Sequence, residues 1–246
     1  MKWTFTNSGF LTGEENMSLD IAHAESLITA LQHNTSPFGH FRVYGWDKPT
    51  LSLGKNQLLS QEIETNCSIQ DIPIVRRPTG GRAVLHANEL TYCIIMPCES
   101  IETARKAYAS IHAFFLNALQ SIGMNKLDFV KSHADFHEHY SNLESSSCFS
   151  SSARYELTCN GKKLMGSAQR VMHGVLLQHG SLPLDTSYLD IVTLLTAHQS
   201  EQKRIRERII SHSTCLSECH VQSYEFSEIA SAIESTWMQM KGTFEL

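Results

Sequence analysis

The chain has 246 residues, 41% of them hydrophobic and 18% charged, and its 20 Lys+Arg against 25 Asp+Glu leave a formal net charge of −5. This composition excludes a disordered chain, and the lack of a basic excess argues against a nucleic-acid partner. No stretch approaches a membrane-spanning apolar run, and Met1-Lys2-Trp3-Thr4-Phe5-Thr6-Asn7 lacks a signal-peptide core, so a cytoplasmic protein with no membrane contact is expected.

The spacing of Met17, Ile21, Ala24, Ile28 and Leu31 predicts an amphipathic helix over 16–33. Strand signals follow at 40–46, 50–53, 72–76, 82–86 and 90–96, and these strands are expected to share one sheet. Ala107, Ile111, Phe114, Ala118 and Ile122 predict a second helix ending near Gly123. The Ser-rich run Ser145 to Ser152 around Cys148 reads as a loop. Beyond it, RYELTC and KKLMGS flank Asn160-Gly161, the dipeptide that suits a two-residue hairpin turn because both positions need positive φ. That turn sets Thr158 opposite Lys163 and Cys159 opposite Lys162, so the two lysines point to opposite faces. Tyr155, Leu157 and Leu164 mark the core face, leaving Lys163 with Glu156 and Thr158 on the other. The apolar run Val171 to Leu177 predicts one further strand, leading to Gln178-His179-Gly180-Ser181, and helical patterns cover 187–197 and 226–240. Helices at both ends and strands between them predict a mixed α+β fold, not a doubly wound parallel sheet.

Seven cysteines, Cys67, Cys93, Cys98, Cys148, Cys159, Cys215 and Cys219, are an odd number in a chain with no export signal, which predicts reduced thiols. Cys215, Cys219 and His220, and separately His133, His137 and His139, have ligand-like spacings. Neither is a repeated CxxC pair, and no metal is expected. The segment Arg76-Arg77-Pro78-Thr79-Gly80-Gly81-Arg82-Ala83-Val84-Leu85-His86 joins a flexible Gly-Gly turn to three arginines that could meet a phosphate or carboxylate. General loop chemistry accounts for it equally well as a tight turn with solvated arginines. It is not a P-loop, since no GK[ST] follows. In Lys163-Leu164-Met165-Gly166-Ser167-Ala168-Gln169, small residues leave room for a ligand over the strand, although a strand lysine is commonly a snorkelling surface side chain. Cys148 differs from the other cysteines in its polar surroundings, SSSCFSSS.

The succession NMSLD, FRVYGW, TLSLG, RRPTGGRAVLH, ELTY, a Cys-Phe, YEL, GKKLMGSAQR and LQHGSL resembles the biotin/lipoate protein ligase superfamily. Within it the chain is most similar to octanoyltransferases that move an octanoyl group from acyl carrier protein to a lipoyl domain. The resemblance implies a catalytic-domain fold of that superfamily, with a largely antiparallel sheet packed with helices. It implies a single catalytic domain over 1–246, best matched over 3–185, with 186–246 a helical C-terminal part. By motif position, Cys148 would be the nucleophile and Lys163 the site lysine. Arg77, Gly80, Gly81, His86, Gly166, Ser167 and Ala168 would line the substrate pocket. No cofactor is implied, because an octanoyl thioester is already activated. The implied partners are octanoyl-acyl carrier protein and lipoyl-domain proteins, either glycine cleavage H protein or a 2-oxoacid dehydrogenase E2. The alternatives on the same residues are an ATP-dependent lipoate-protein ligase, an octanoyl amidotransferase between lipoyl-domain proteins, and a non-catalytic lipoyl-domain binder. The last would need neither Cys148 nor Lys163.

Overall fold

The computed structural model describes residues 1–131, 155–220, 223–240, 242 and 244. Strand β1 (Lys2–Leu11) leads into helix α1 (Gly13–Gln32), followed by β2 (Phe38–Trp46), β3 (Thr50–Leu53), α2 (Gln61–Ile69), β4 (Ile74–Arg76), β5 (Val84–His86) and β6 (Glu89–Pro97). Then come α3 (Ile101–Ser121), β7 (Leu127–Lys131), β8 (Tyr155–Cys159), β9 (Lys162–Lys163), β10 (Gly166–Met172) and β11 (Val175–Pro183). A 3₁₀ turn (Thr186–Asp190) opens the C-terminal helices α4 (Ile191–Leu195), α5 (Gln199–His212), α6 (Leu216–Cys219) and α7 (Phe226–Gln239).

The fold is α+β and mostly antiparallel, as expected, but the strands are divided. The main sheet has the order β1-β2-β6-β11-β10, in which only β1 and β2 run parallel. A parallel pair needs a crossover, and α1 supplies it. The expectation of one sheet for the strands between 40 and 96 is therefore corrected: β3, β4 and β5 form a second sheet in the order β4-β3-β5. Alternation along a strand identifies what is buried but not which strand it pairs with. β5 and β6 are close in sequence, yet His86 pairs with Thr50 while Glu89 pairs with Pro183.

Because side chains alternate across the pleat, β6 serves two cores at once. Leu90, Tyr92, Ile94 and Met96 join Phe41, Phe114, Phe115 and Trp237 beneath α3 and α7, while Cys93 and Ile95 join Met17, Ala24, Leu27 and Tyr44 beneath α1. Helix α1 starts at a capping box in which Thr12 and Glu15 satisfy each other's backbone N–H groups. Its buried face keeps Met17, Ala24, Ile28 and Leu31 of the predicted stripe and departs from it at Ile21. Ile21 is exposed, and Asn16 and Asp20 are buried beside Met17, Ala24 and Leu27. Two polar side chains on the inward face of a helix must be hydrogen-bonded there, and these two organise one wall of the site.

Three further departures have local causes. The run Val171 to Leu177 is not one strand but a hairpin, because His173 and Gly174 both take positive φ (48° and 79°) between Met172 and Val175. Strand β1 escapes periodicity because it is an edge strand of mixed exposure, and α5 escapes because only Ile205 and Ile209 of its residues are buried. The hairpin at Asn160-Gly161 forms as expected, with φ of 51° and 76°, and pairs Thr158 with Lys163 and Cys159 with Lys162. With β7 it makes a third sheet, β7-β8-β9. Among the described residues no helix is long and apolar enough to cross a membrane.

Candidate active site

A cleft lies between the main sheet and the small β4-β3-β5 sheet, with about 480 Å³ of space between its walls counting the part open to solvent. Met17, Tyr44, Trp46 and Val84 give it apolar walls, and Arg77, His86, Thr91, His179 and Ser181 give it polar ones. Gly166, Ser167, Ala168 and Gly180 line the remaining side. Five of the residues implied by the motifs, Arg77, His86, Gly166, Ser167 and Ala168, thus converge on one space. They come from β5, β10 and the loop after β4.

The floor is a closed polar network. His86 stacks on Trp46 with ring centroids 4.0 Å apart and an interplanar angle of 10°. Arg77 Nη1 donates to Ser52 Oγ at 3.1 Å, Ser52 meets His86 Nε2 at 2.7 Å, and His86 Nδ1 meets Glu89 Oε1 at 2.8 Å. Arginine only donates and a carboxylate only accepts, so Arg77 donates to Ser52 and His86 Nδ1 donates to Glu89, while the proton between Ser52 and His86 follows the state of the imidazole. Glu89 also accepts from Thr91 Oγ1, from Ser181 Oγ at 2.5 Å and from Trp46 Nε1 at 3.2 Å. Burial pushes the Glu89 carboxyl upward, but His86, Ser181 and Thr91 together hold it below the usual range. With Nδ1 on Glu89 and Nε2 on Ser52, His86 is held in one orientation and positions Trp46 and the cavity wall.

The arginines differ in burial, Arg77 being buried, Arg82 half-buried and Arg76 exposed, and the first and last are taken up by backbone carbonyls. Arg77 is buried and donates to Ser52 O, Gly80 O and Arg82 O, while Arg76 donates to Gly54 O, Lys55 O and Gln57 O. Arg77 gives donors to buried and half-buried carbonyls, while Arg76 ties the 54–57 loop together from its exposed side. Gly80 and Gly81 lie in the loop that Arg77 clasps and do not line the cavity. Their neighbourhood explains a glycine on the facing loop, since a Cβ at Gly54 would fall 2.0 Å from Gly81 O. Gly54→Ala must push the Gly80-Gly81 loop away. A stability loss of about 1–3 kcal/mol is expected, measurable by urea unfolding.

The opposite wall rests on Asp20, one of the polar residues that helical periodicity passed over. Asp20 Oδ1 accepts from Arg42 Nη2 at 2.6 Å, and its Oδ2 accepts from Tyr44 OH at 3.0 Å and lies 3.6 Å from His179 Nδ1. Arg42 lies 3.7 Å over the Tyr44 ring and donates to Asn16 Oδ1 and Asn16 O. His179 Nε2 meets Thr79 Oγ1 at 2.5 Å, so β11 holds the residue preceding the Gly-Gly pair. Burial pushes Asp20 upward, but His179 and Arg42 hold it below the usual carboxylate range. Burial lowers the pKa of His179, opposed only in part by Asp20.

His112, a second residue that sequence reasoning missed, is likewise lowered to about 4 by burial. An unfolded histidine protonates near 6.5, so between about pH 6.5 and 4 the unfolded chain binds more protons than the folded one. Stability should therefore be full above about pH 6.5 and decline as the pH falls, with roughly 3 kcal/mol from His112 alone. Urea midpoints at about pH 7.5 and 5 test this, and equal midpoints would contradict it.

Lys163 is 7% exposed and Lys162 more open. Lys163 is held from behind, where its backbone carbonyl accepts from Thr214 N at 2.9 Å. It does not line the cavity. Its charge instead acts on His112 of α3, whose Nε2 lies 3.2 Å from the cavity residue Ser167. Cys148 and the His133, His137, His139 group lie outside the described residues. The six described cysteines are all buried and free. Burial raises the thiol pKa of Cys67 to about 11 and also raises those of Cys93, Cys215 and Cys219, so these four are poor thiolate nucleophiles.

Residues 13–237 match the lipoyl protein ligase A/B catalytic domain. The chain is 36% identical over 215 residues to the octanoyltransferase LipM of Bacillus subtilis, covering 84% of this chain and 73% of that one. With the octanoyltransferase LipM of Bacillus anthracis it shares 31% identity over 239 residues, covering 95% and 84%. The bipartite lipoate protein ligase of Thermoplasma acidophilum superposes with a TM-score of 0.66 at 17% identity, covering 98% of this chain and 84% of the other. A lipoate-protein ligase A bound with ATP gives a TM-score of 0.64, also at 17% identity, covering 98% and 85%. At those identities the two structures speak for the fold alone.

Proposed function

Because the chain belongs to the lipoyl protein ligase A/B catalytic domain family, we propose that it is an octanoyltransferase of lipoate biosynthesis that uses a cysteine thioester. The observation that carries the reading is the 36% identity to an octanoyltransferase over 84% of the chain. Octanoyl-acyl carrier protein is the donor, and a lysine of a lipoyl-domain protein, glycine cleavage H protein or a 2-oxoacid dehydrogenase E2, is the acceptor.

In the first half-reaction the Cys148 thiolate attacks the donor thioester, and octanoyl-Cys148 forms as the carrier thiol leaves. One thioester replaces another, so the step is close to isoenergetic and no ATP is required. In the second, the acceptor amine attacks octanoyl-Cys148, an amide forms, the C–S bond breaks and Cys148 recovers its proton. Six methylenes placed against Met17, Tyr44, Trp46 and Val84 would contribute roughly 5 kcal/mol at about 0.8 kcal/mol each. Freeing the acceptor lysine of its proton costs about 4–5 kcal/mol at pH 7, so the amine must be received by groups that orient it. A nearby Lys163 ammonium would raise the thiolate fraction of Cys148, which is only a few per cent for an ordinary thiol at neutral pH.

Intact mass spectrometry after mixing with octanoyl-acyl carrier protein, without ATP or magnesium, tests the reading. A hydroxylamine-sensitive octanoyl adduct on Cys148 is expected. Strict dependence on ATP with free octanoate or lipoate would make the protein a ligase instead, and an adduct on another cysteine would displace Cys148.

A further inference from the structure

The polar side chains that line the cleft spend their protons on the protein itself. Trp46 Nε1 donates to Thr91 Oγ1 at 2.8 Å, Thr91 Oγ1 donates in turn to Glu89, and Ser181 Oγ donates to Glu89 Oε2 at 2.5 Å. On the opposite wall Tyr44 OH donates to Asp20 Oδ2. His86 has its two ring nitrogens on Glu89 and Ser52, and His179 has its two facing Asp20 and Thr79, so neither turns an N–H toward the cleft. The Nη groups of Arg77 go to Ser52 Oγ and to the backbone oxygens of Ser52, Gly80 and Arg82. Ser167 holds its hydroxyl on the far face of the sheet, with Tyr92 and His112. Thr91 and Ser181 are cross-strand partners on the cleft side of β6 and β11, and a hydroxyl whose proton is committed can still accept.

We propose that Glu89 sets the acyl-chain selectivity of the cleft: by drawing the Thr91 and Ser181 protons away it leaves a wall of carbon and lone pairs, which admits an aliphatic tail, tolerates a tail that carries a hydrogen-bond donor and rejects one that carries only an acceptor. This rests on the octanoyl-transfer reading and adds to it which acyl groups the cleft turns away. A methylene loses nothing at such a wall. A hydroxyl on the tail can donate to Ser181 Oγ, whereas a ketone oxygen meets lone pair against lone pair and is buried unpaired. Burial disfavours the charged Glu89 carboxylate, but His86, Ser181 and Thr91 outweigh it, so Glu89 only accepts. The two oxygens of Glu89 differ. Oε1 receives His86, Thr91 and Trp46, while Oε2 receives Ser181. In Glu89→Gln the amide oxygen therefore belongs where the three donors point, and its NH₂ faces Ser181. Ser181 Oγ must then accept, and its proton is released toward the cleft.

The test is calorimetric titration with three unreactive probes: the amide analogue of octanoyl-pantetheine, in which nitrogen replaces the thioester sulfur, and its 7-oxo and 7-hydroxy derivatives. With the wild-type protein the 7-oxo probe is expected to bind about 30-fold or more weakly than the parent, and the 7-hydroxy probe to lie between them. A cleft that is merely apolar gives the other order, because a hydroxyl buries a donor as well as an acceptor. A 7-hydroxy probe that binds no better than the 7-oxo probe would therefore overturn the proposal, and this comparison needs no variant. Glu89→Gln is expected to recover roughly tenfold of the 7-oxo loss relative to the parent, and Ser181→Ala added to it should remove that gain. A folded Glu89→Gln protein with the wild-type ranking and spacing of the three probes would also overturn it. A parent probe that does not bind would instead remove the octanoyl-transfer reading, and this inference with it.

Discussion

Alanine at Cys148 or at Lys163 is expected to stop transfer by different routes, whereas alanine at Lys162 should leave it within about twofold. On the proposed mechanism the Cys148 thiol is the acyl carrier between donor and acceptor, and without it the octanoyl adduct should vanish. Without the Lys163 ammonium the adduct should still form, but about 10²-fold or more slowly, because the cysteine loses the cation that favours its thiolate. The hairpin register separates the lysines: Lys163 pairs with Thr158 and is 7% exposed, while Lys162 pairs with Cys159 at a more open position. Leu157 and Leu164 are both fully buried, so the hairpin is covered on the face they share as well as around Lys163. The deciding measurement is the pH profile of Cys148 alkylation. Lys163→Ala should move it to higher pH and Lys162→Ala should not. The reverse result would refute both the register argument and the assignment.

Asp20→Ala is expected to cost about 3–5 kcal/mol of stability, the largest loss foreseen for any single substitution here. Removing the carboxylate leaves Arg42, 2% exposed, as a buried charge without its counter-ion, and takes the acceptor from Tyr44 OH and the anionic neighbour from His179. For a chain of this length that corresponds to a melting-temperature drop on the order of 10 °C. Asp20→Asn, which keeps the shape and one acceptor, should lose less. The pH dependence follows from the lowered folded-state pKa of Asp20. Its contribution is complete above the unfolded value near 3.9 and is lost as the pH falls through the folded value below it. The gap between wild type and Asp20→Ala should therefore be constant near neutrality and close only in strong acid. A loss below about 1 kcal/mol in urea unfolding at pH 7 would show that the cluster is no more than a surface-like ion pair.

Much of this protein was legible from the chain alone. The periods of α1 and α3, the strand positions and the Asn160-Gly161 turn with its register are all local properties, dictated by side-chain alternation and by φ > 0 at two residues. The motifs that carry the family resemblance also brought Arg77, His86, Gly166, Ser167 and Ala168 forward before any geometry was known, and all five line the cavity.

The tertiary structure alone decided the rest. It separated β3, β4 and β5 from the main sheet, because pairing partners depend on contacts far apart in sequence. It turned Arg77 from free charge into a loop staple, because buried carbonyls need donors wherever the chain brings them. It also gave Asp20 and His112 their roles: Asp20 stands in the sequence as the last residue of NMSLD with no partner indicated, and His112 on α3 belongs to none of the motifs. A polar side chain inside a protein takes its meaning from the partners across the core, Arg42 and His179 for the first and Ser167 for the second, and those partners are set by packing and not by spacing.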